Sequence, residues 1–373
     1  MMNGKTRVAV LYGGKSGEHE VSLKSGASVV RHLDRERFEL IPISIDKQGR
    51  WQQQDPKRLA EWNAESLPIH ADAPAIRLAA DDAGRLEAIG LDGSSAGHGI
   101  DVVFPVIHGP LCEDGAVQGL LELSGAAYVG SGVLASAVGM HKDIAKRLAA
   151  LAGLPVAPYV MASKREFARD PVAVAAAAQA KLTLPVFIKP CNMGSSVGVH
   201  KVKRWEDLDA ALADAFRYDT RVLIEQGIDA REIEVAVLDG DPPFVSLASE
   251  LNADPKHEFY SYEAKYIDQD GATVDLPAKL EPGQMERVRE LAKTAFLALE
   301  CSGLARVDFF LDRKSGEFYF NEINTLPGFT AISMYPKMME ASGMAYRDLI
   351  TRLVELALER HAERAALKTD YDG

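Results

Sequence analysis

Residues 306–329 read RVDFFLDRKSGEFYFNEINTLPGF. Two runs rich in aromatic and β-branched residues flank the polar stretch 312–317, which carries Gly316, and that pattern predicts a β-hairpin. Side chains alternate across a strand. Arg306, Asp308 and Phe310 therefore share one face of the first strand, and Phe318, Phe320, Glu322 and Asn324 share one face of the second. A turn centred near Ser315 sets Asp308 opposite Glu322 and Arg306 opposite Asn324. One face then carries two carboxylates, an amide oxygen and a guanidinium beside two Phe rings. Such a group suits a hard cation that takes a few protein oxygens and completes its shell with phosphate oxygens and water. The competing reading is a solvated face with charges paired across strands. The run at 321–329 favours a site, because an acidic and an amide ligand two residues apart lead into a Pro-Gly turn of exposed backbone amides.

The 373 residues are 47% hydrophobic and 26% charged, the balance of a globular protein of two or three domains. A net charge of −12 argues against a nucleic-acid footprint, so any phosphate site must be locally basic. Cys112, Cys191 and Cys301 are too few and too scattered for a disulfide framework or a zinc cluster, which points to a reducing cytoplasm. The opening MMNGKTRVAVLYGG has too little apolar length for a signal peptide, and no apolar run approaches the ~20 residues of a membrane span. A cytoplasmic protein with neither membrane nor nucleic acid as partner is expected.

Residues 7–12 read as a buried strand, Gly13-Gly14 as a turn, 22–33 as a helix and 38–45 as a second strand. Free backbone amides at such a sheet tip are a common place for ligands. Gly14-Lys15-Ser16 is not a nucleotide-binding P-loop, since Ala9 stands where its first glycine is needed. Glu18 can hold a substrate ammonium, or simply favour the helix N-terminus. Residues 51–99 read as an insertion of short hairpins and loops. The strand at 100–107 ends in His108-Gly109-Pro110, where open α/β sheets bind ligands, although a lone His is more often a structural residue. A last short strand spans 128–131, and 130–132 look like a linker.

Residues 135–152 read as one helix carrying Lys142, Lys146 and Arg147, and 165–181 as another. Strands are expected at 155–161, 184–189 and 199–203. The loop between the last two, Lys189-Pro-Cys-Asn-Met-Gly-Ser195-Ser196-Val-Gly198, joins strand to strand. It fits a mobile hairpin loop whose amides cover phosphates, with Lys189 neutralising their charge, or an ordinary flexible hairpin. Glu225 and Glu232 bracket the turn between strands 221–226 and 232–238, where a ribose and an exocyclic amine want acceptors, or where they are solvated strand ends. Residues 259–267, with Lys265 and Tyr266, read as a loop that closes over a site or as a surface strand. Helices are expected at 281–300 and from about 346 to 367.

Together, GGKSGEHEVS (13–22), HGPLCEDG (108–115), KPCNMGSSVGV (189–199), EQGIDAREIEVAVL (225–238), YEAKYI (262–267), RVDFFL (306–311) and NEINTLPGF (321–329) resemble the ATP-grasp superfamily, and within it the D-alanine–D-alanine ligases. The resemblance runs the length of the chain. It implies an N-terminal parallel α/β domain at 1–130 with an insertion at about 50–99, followed by two α+β subdomains, 131–225 and 226–373, that clamp ATP. It further implies that Lys142 and Lys189 contact the α- and β-phosphates, with Ser195, Ser196 and their amides over the β/γ end. By the same resemblance, Glu225 and its neighbours would line the adenine pocket, Glu232 would take the ribose, and Lys265 would reach the γ-phosphate. Asp308, Glu322 and Asn324 would hold two Mg²⁺ (or Mn²⁺). Glu18 would anchor the first D-alanine's ammonium with His108 nearby, and Ser195 and Tyr266 would link to Glu18. Ser333 would bind the second D-alanine's carboxylate beside Met334, while Arg306 and the Gly328 amide would stabilise the oxyanion. The implied reaction serves peptidoglycan precursor synthesis, and the implied assembly is a homodimer.

Two positions depart from that pattern: His141, where an Asp often precedes the lysine, and Cys112, where a Gly is common. One rival is a ligase forming D-alanyl-D-lactate, against which Tyr266 resembles the dipeptide-forming members. Another is a non-catalytic ATP-binding module, whose mark would be a lost metal ligand or a lost Arg306.

Overall fold

The structure, a computed structural model, describes residues 4–59, 65–80, 86–91, 95–253 and 272–368. The apolar run TRVAVLYG forms β1 (Thr6–Gly13), its last six residues buried. α1 (His19–His32) returns the chain to β2 (Phe38–Ile45), which pairs parallel with β1 over its whole length. Runs that are apolar at successive positions, not alternate ones, mark strands covered on both faces. The helix opens three residues ahead of the expected Ser22. His19 is buried in its first turn, with Nδ1 bonded to the Gly14 carbonyl at 2.7 Å.

β3 (Trp51–Gln53) pairs antiparallel with β2, and a one-turn helix, α2 (Pro56–Leu59), follows. The insertion folds as a three-stranded sheet of β4 (Ile76–Ala80), β5 (Leu86–Gly90) and β6 (Ser95–Ile100). β7 (Val102–Pro105), α3 (Ala116–Leu123) and β8 (Ala127–Tyr128) complete a sheet of order β3-β2-β1-β7-β8.

The stretch expected as one helix at 135–152 is two, α4 (Val133–Met140) and α5 (Lys142–Leu151). His141 breaks it with extended backbone (ψ 95°), and its side chain accepts from the Ile144 amide. A histidine thus does the capping that a short acidic side chain does more often. Likewise 165–181 divides into α6 (Lys164–Arg169) and α7 (Pro171–Lys181), because Asp170 caps the second helix and Pro171 cannot continue the first.

An antiparallel sheet of order β11-β10-β12-β9 follows, formed by β9 (Tyr159–Ser163), β10 (Val186–Pro190), β11 (His200–Val202) and β12 (Arg221–Gln226). It is backed by α7 and α8 (Leu208–Ala215) through Ala178, Leu208 and Leu212. The last sheet centres on β13 (Ala230–Leu238), which also pairs with the short β14 (Phe244–Val245). β15 (Ser249–Ala253) and β16 (Ala272–Asp275) lie on one side of it, β17 (Leu304–Asp312) and β18 (Phe318–Asn324) on the other. α9 (Gln284–Ala298) packs Val288, Leu291, Ala295 and Phe296 on that sheet. The final helices, α10 (Met334–Ala341) and α11 (Tyr346–Ala365), carry Tyr335, Met338, Leu349 and Leu353 into the core of the first sheet. The architecture is therefore mixed α/β: a parallel α/β layer followed by two antiparallel sheets with helices.

Candidate active site

The hairpin β17–β18 has Arg306 opposite Asn324 and Asp308 opposite Glu322. Beyond Asp308 the register shifts by one residue. Asn321 is the extra residue, and such a bulge turns neighbouring side chains to new faces. Phe318 and Phe320 therefore do not share the face of Glu322 and Asn324, as strict alternation required. They lie in the core with Phe309, at ring distances of 6.3 and 6.2 Å. Phe310 remains on the polar face, under the Lys189 ammonium at 5.1 Å.

Arg306 grips Asp308 bidentately, Nε to Oδ1 and Nη2 to Oδ2 both at 2.7 Å, and its Nε stands 3.4 Å from Glu234 Oε1 on β13. Glu234 lies across the ladder from Asp308, and its side chain is only 12% exposed. Its Oε2 is buried with no hydrogen-bond partner among the described residues. Burial pushes the Asp308 carboxyl up to about 7; Arg306 draws it down, while Glu234 and Glu322 add to the rise. Burial opposes the Arg306 charge, but Asp308 and Glu234 outweigh it and raise its pKa further. This is a cluster of hard oxygen donors with more negative charge than one guanidinium balances. Among the described residues, no three His, Cys, Asp or Glu side chains already converge as a metal cage. Glu322 takes Lys142 Nζ at 3.3 Å, and Asn324 Oδ1 accepts from the Leu326 amide at 3.0 Å.

Facing the hairpin is a row of lysines. Phe187 pairs with Glu225, so Lys189, two positions on, shares the Glu225 face. Lys189 Nζ lies 2.5 Å from Glu225 Oε2 and donates to Asn321 Oδ1 at 3.2 Å. Lys146 holds the other carboxylate oxygen at 2.6 Å. Burial pushes the Glu225 carboxyl up, but the two lysines prevail and lower it to about 2. Its side chain is thus turned inward as their counter-ion. Lys142, one helical turn before Lys146, donates to the Met193 carbonyl at 2.7 Å.

The glycine loop leaves β10 at Pro190 and folds back over the first turn of α1. Ser195 Oγ donates to Glu18 Oε1 at 2.5 Å, and a Cβ at Gly109 would lie 2.7 Å from Glu18 Oε2. Ser195 and Ser196 both have positive φ, 53° and 58°, which aims successive amides to one side. His108 is buried beside this carboxylate. Ser25 Oγ and its Nε2 are hydrogen-bonded at 2.9 Å, its Nδ1 meets the Leu326 carbonyl at 3.2 Å, and Glu113 Oε1 is 3.6 Å away. Burial works against the His108 charge, yet Glu113 and Glu18 raise its pKa overall. The Phe329 amide donates to Ser25 Oγ, which joins the 321–329 run to α1. At the end of that run, Ser333 Oγ accepts from the Thr330 amide at 3.0 Å, and a Cβ at Gly328 would meet it at 2.8 Å. Met334 opens α10 next to Ser333 and packs against the core of the first sheet.

Those contacts chain together Glu18, Ser195, Lys142 and Glu322, with Arg306 and Asp308 opposite Asn324 and Glu322 on the hairpin, and the Leu326 and Phe329 backbone joins the hairpin's end to His108 and Ser25. Glu232 lies further out on β13, opposite Leu251 and Phe310. Lys265 and Tyr266 lie outside the described residues. Sequence reasoning missed Glu113, Glu234 and Asn321 as members of the cluster, and gave Lys146 no part in it. The signals were a second acid after His108-Gly-Pro, an acid at a core-facing strand position, and a lysine on the buried side of α5 with Ala145 and Ala149.

A parallel α/β layer followed by two antiparallel sheets, with buried lysines between a glycine loop and an acidic hairpin, is consistent with an ATP-grasp ligase, and the comparisons with known proteins bear this out. Two family models match: D-ala D-ala ligase N-terminus over residues 7–131 and D-ala D-ala ligase C-terminus over residues 148–355. The chain is 67% identical over 371 residues to the D-alanine–D-alanine ligase A of Bradyrhizobium diazoefficiens, covering 99% of this chain and 100% of that one. It is similar to the solved D-alanine–D-alanine ligase from Coxiella burnetii, with TM-score 0.83 and 37% identity over 97% of this chain and 96% of the other. The VanG D-Ala:D-Ser ligase from Enterococcus faecalis is also similar, with TM-score 0.82 and 34% identity over 95% and 100%. The chain belongs to the D-alanine–D-alanine ligase family.

Proposed function

We propose that this chain joins two D-alanines into D-alanyl-D-alanine at the expense of ATP, for peptidoglycan precursor synthesis. The observation that carries the site assignment is the Ser195–Glu18 contact, which brings the phosphate-type glycine loop onto an acid suited to an ammonium. In this reading a carboxylate to be phosphorylated and the phosphate donor come together beside that contact.

In this reading Glu18 anchors the ammonium of the first D-alanine, and His108 stands behind it. Lys142, Lys189 and the amides around Ser195 and Ser196 hold the phosphates of ATP. Glu225 with its neighbours lines the adenine pocket, Glu232 takes the ribose, and Lys265 reaches the γ-phosphate. The carboxylate of the first D-alanine attacks that phosphorus, ADP leaves, and a D-alanyl phosphate remains. The second D-alanine, its carboxylate on Ser333 beside Met334, attacks the acyl carbon through its amine. The resulting oxyanion is met by Arg306 and the Gly328 amide. Its collapse expels phosphate, the nitrogen gives up a proton, and the peptide bond is left. Preorganised positive charge does most of this work. Tyr266 and Ser195 tie the loops to Glu18 and exclude water, which would hydrolyse the acyl phosphate.

Asp308, Glu322 and Asn324 fit two Mg²⁺ (or Mn²⁺) by their oxygen chemistry and by the excess of negative charge around Asp308. Bound there, the ions would neutralise phosphate charge during transfer. The same reading places a homodimer in the cytoplasm. The family's pattern supports it, and no helix among the described residues is long and apolar enough to cross a membrane. It divides the chain into units 1–130, 131–225 and 226–373.

The test is phosphate release from Mg-ATP with D-alanine, L-alanine, D-alanine plus D-lactate, D-alanine plus D-serine, or no addition, the products being identified by mass. The D-serine arm answers to the similarity with a D-Ala:D-Ser ligase. D-Alanine-dependent release with matching D-alanyl-D-alanine is expected. A predominantly mixed product would move the reading to another acceptor. ATP that is bound but never turned over would withdraw the roles of Glu18 and Ser333.

A further inference from the structure

Lys146 has no solvent exposure at all, which is rare for a lysine, and it lies behind the residues that the reaction uses. Its ammonium meets Glu225 Oε1 at 2.6 Å and the Phe320 carbonyl of β18 at 3.2 Å. The other oxygen of the same carboxylate holds Lys189 at 2.5 Å. One buried acid thus serves two buried lysines. Lys189 also donates to Asn321 Oδ1 and has the Phe310 ring beneath it.

We propose that Lys146 is a positioning residue: it keeps Glu225 neutralised, so that Lys189 is free to turn from Glu225 to a nucleotide phosphate. This rests on the nucleotide-binding reading given above. Stripping a buried carboxylate of its last partner is strongly unfavourable, far more so than replacing the whole pair by neutral groups. With Lys146 present, Glu225 remains paired when Lys189 leaves, and the three groups together carry one net positive charge. Without Lys146, Glu225 and Lys189 form a closed pair, and every phosphate contact made by Lys189 abandons a buried anion. The bond to the Phe320 carbonyl gives the arrangement a reference point next to the Asn321 bulge, so the lysine pair keeps its register with the hairpin.

The experiment titrates the purified full-length chain with MgADP by calorimetry and measures KM for ATP and kcat alongside. Lys146→Met should weaken MgADP by at least about tenfold and raise KM for ATP in parallel, with a smaller change in kcat. K146R, which restores the charge, should lie within about threefold of wild type. The double variant K146M/E225Q should bind MgADP within about threefold of E225Q alone, because no acid is then left for Lys146 to neutralise. A folded K146M that binds MgADP like wild type overturns the proposal, as does a double variant that loses as much against E225Q as K146M loses against wild type. Should K146M not fold, the comparison of the double variant with E225Q decides. Equal MgADP affinity of those two supports the proposal. A double variant that fails to fold, or that binds more weakly than E225Q, overturns it, since the lysine would then serve the fold and not the carboxylate. Wild-type protein that binds no MgADP is a separate result, and it refutes the nucleotide reading itself.

Discussion

Ser195 Oγ donates to Glu18 Oε1 at 2.5 Å across 177 positions of the chain, so the loop between β10 and β11 and the first turn of α1 share one hydrogen bond. Ser195 and Ser196 adopt left-handed backbone to reach it, a conformation that costs a non-glycine residue about 1–2 kcal/mol. A hydrogen bond to a charged group contributes about 1.5–3 kcal/mol. Ser195→Ala should therefore lower kcat/KM for D-alanine by about ten- to a hundredfold, with MgADP affinity little changed. Steady-state phosphate release checks this, and a variant within twofold of wild type would detach Ser195 from the substrate end.

Arg306 is the one guanidinium that the described hairpin face presents, and its fork fits Asp308 through two bonds of 2.7 Å. Arg306→Ala should reduce kcat by at least about 10², the magnitude for one lost oxyanion donor. Arg306→Lys should not restore it, because a point charge does not reproduce a planar fork. Turnover at saturating D-alanine and ATP is the measurement. A rate within a few-fold of wild type would remove Arg306 from the mechanism.

Glu225 sets a pH dependence of stability. Burial raises its pKa but the two lysines lower it further, to about 2 against an ordinary 4.5. Between those values the unfolded chain binds more protons than the folded one, so stability rises with pH through that window. The contribution is complete above 4.5 and is lost as pH falls towards 2. Urea unfolding at pH 5 and pH 3 should show the stability gap between wild type and Glu225→Gln narrowing at the lower pH. A gap that stays constant would mean that the carboxylate is not held by the lysines.

Gly303 tests how the first sheet and the last are joined. A Cβ there would lie 3.1 Å from the Gly130 Cα and N, at φ +71°, where Arg360 of α11 also binds the Tyr128 and Gly130 carbonyls and Ser302 Oγ. Gly283 has φ +83° with nothing within 4 Å of such a Cβ. Gly283→Ala should cost about 1–2 kcal/mol for its backbone alone. Gly303→Ala should cost clearly more, seen as a lower urea midpoint at unchanged slope. Equal losses would show that the crossing of the two glycine segments has room to spare.

The strands at 38–45 and 221–226 were legible to the residue, because a short apolar run bounded by polar turns carries its own limits. The pairing of Asp308 with Glu322 was legible for a related reason: turn length and a side-chain period of two set it locally. Even there the Asn321 bulge escaped, and with it the fate of Phe318 and Phe320, because nothing in FYFNEIN distinguishes an inserted residue from an alternating one. The break at His141 escaped because an Ala-rich stretch continues helical on propensity alone, whereas the break needs a cap that propensity does not count.

What this sequence by itself determined is therefore local: which stretches are strands, which acids and lysines stand at their ends, and which family its motifs resemble. The choice of partners was decided by the tertiary structure. Glu18 with Ser195, Lys146 with Glu225 and Phe320, and Glu234 with Arg306 are matches between distant or differently folded segments. A buried charge must find a partner, but the sequence does not say which of the 42 lysines and arginines or 54 acids comes within reach. Packing of the sheets selects among them, since only groups that the fold removes from water together are compelled to pair.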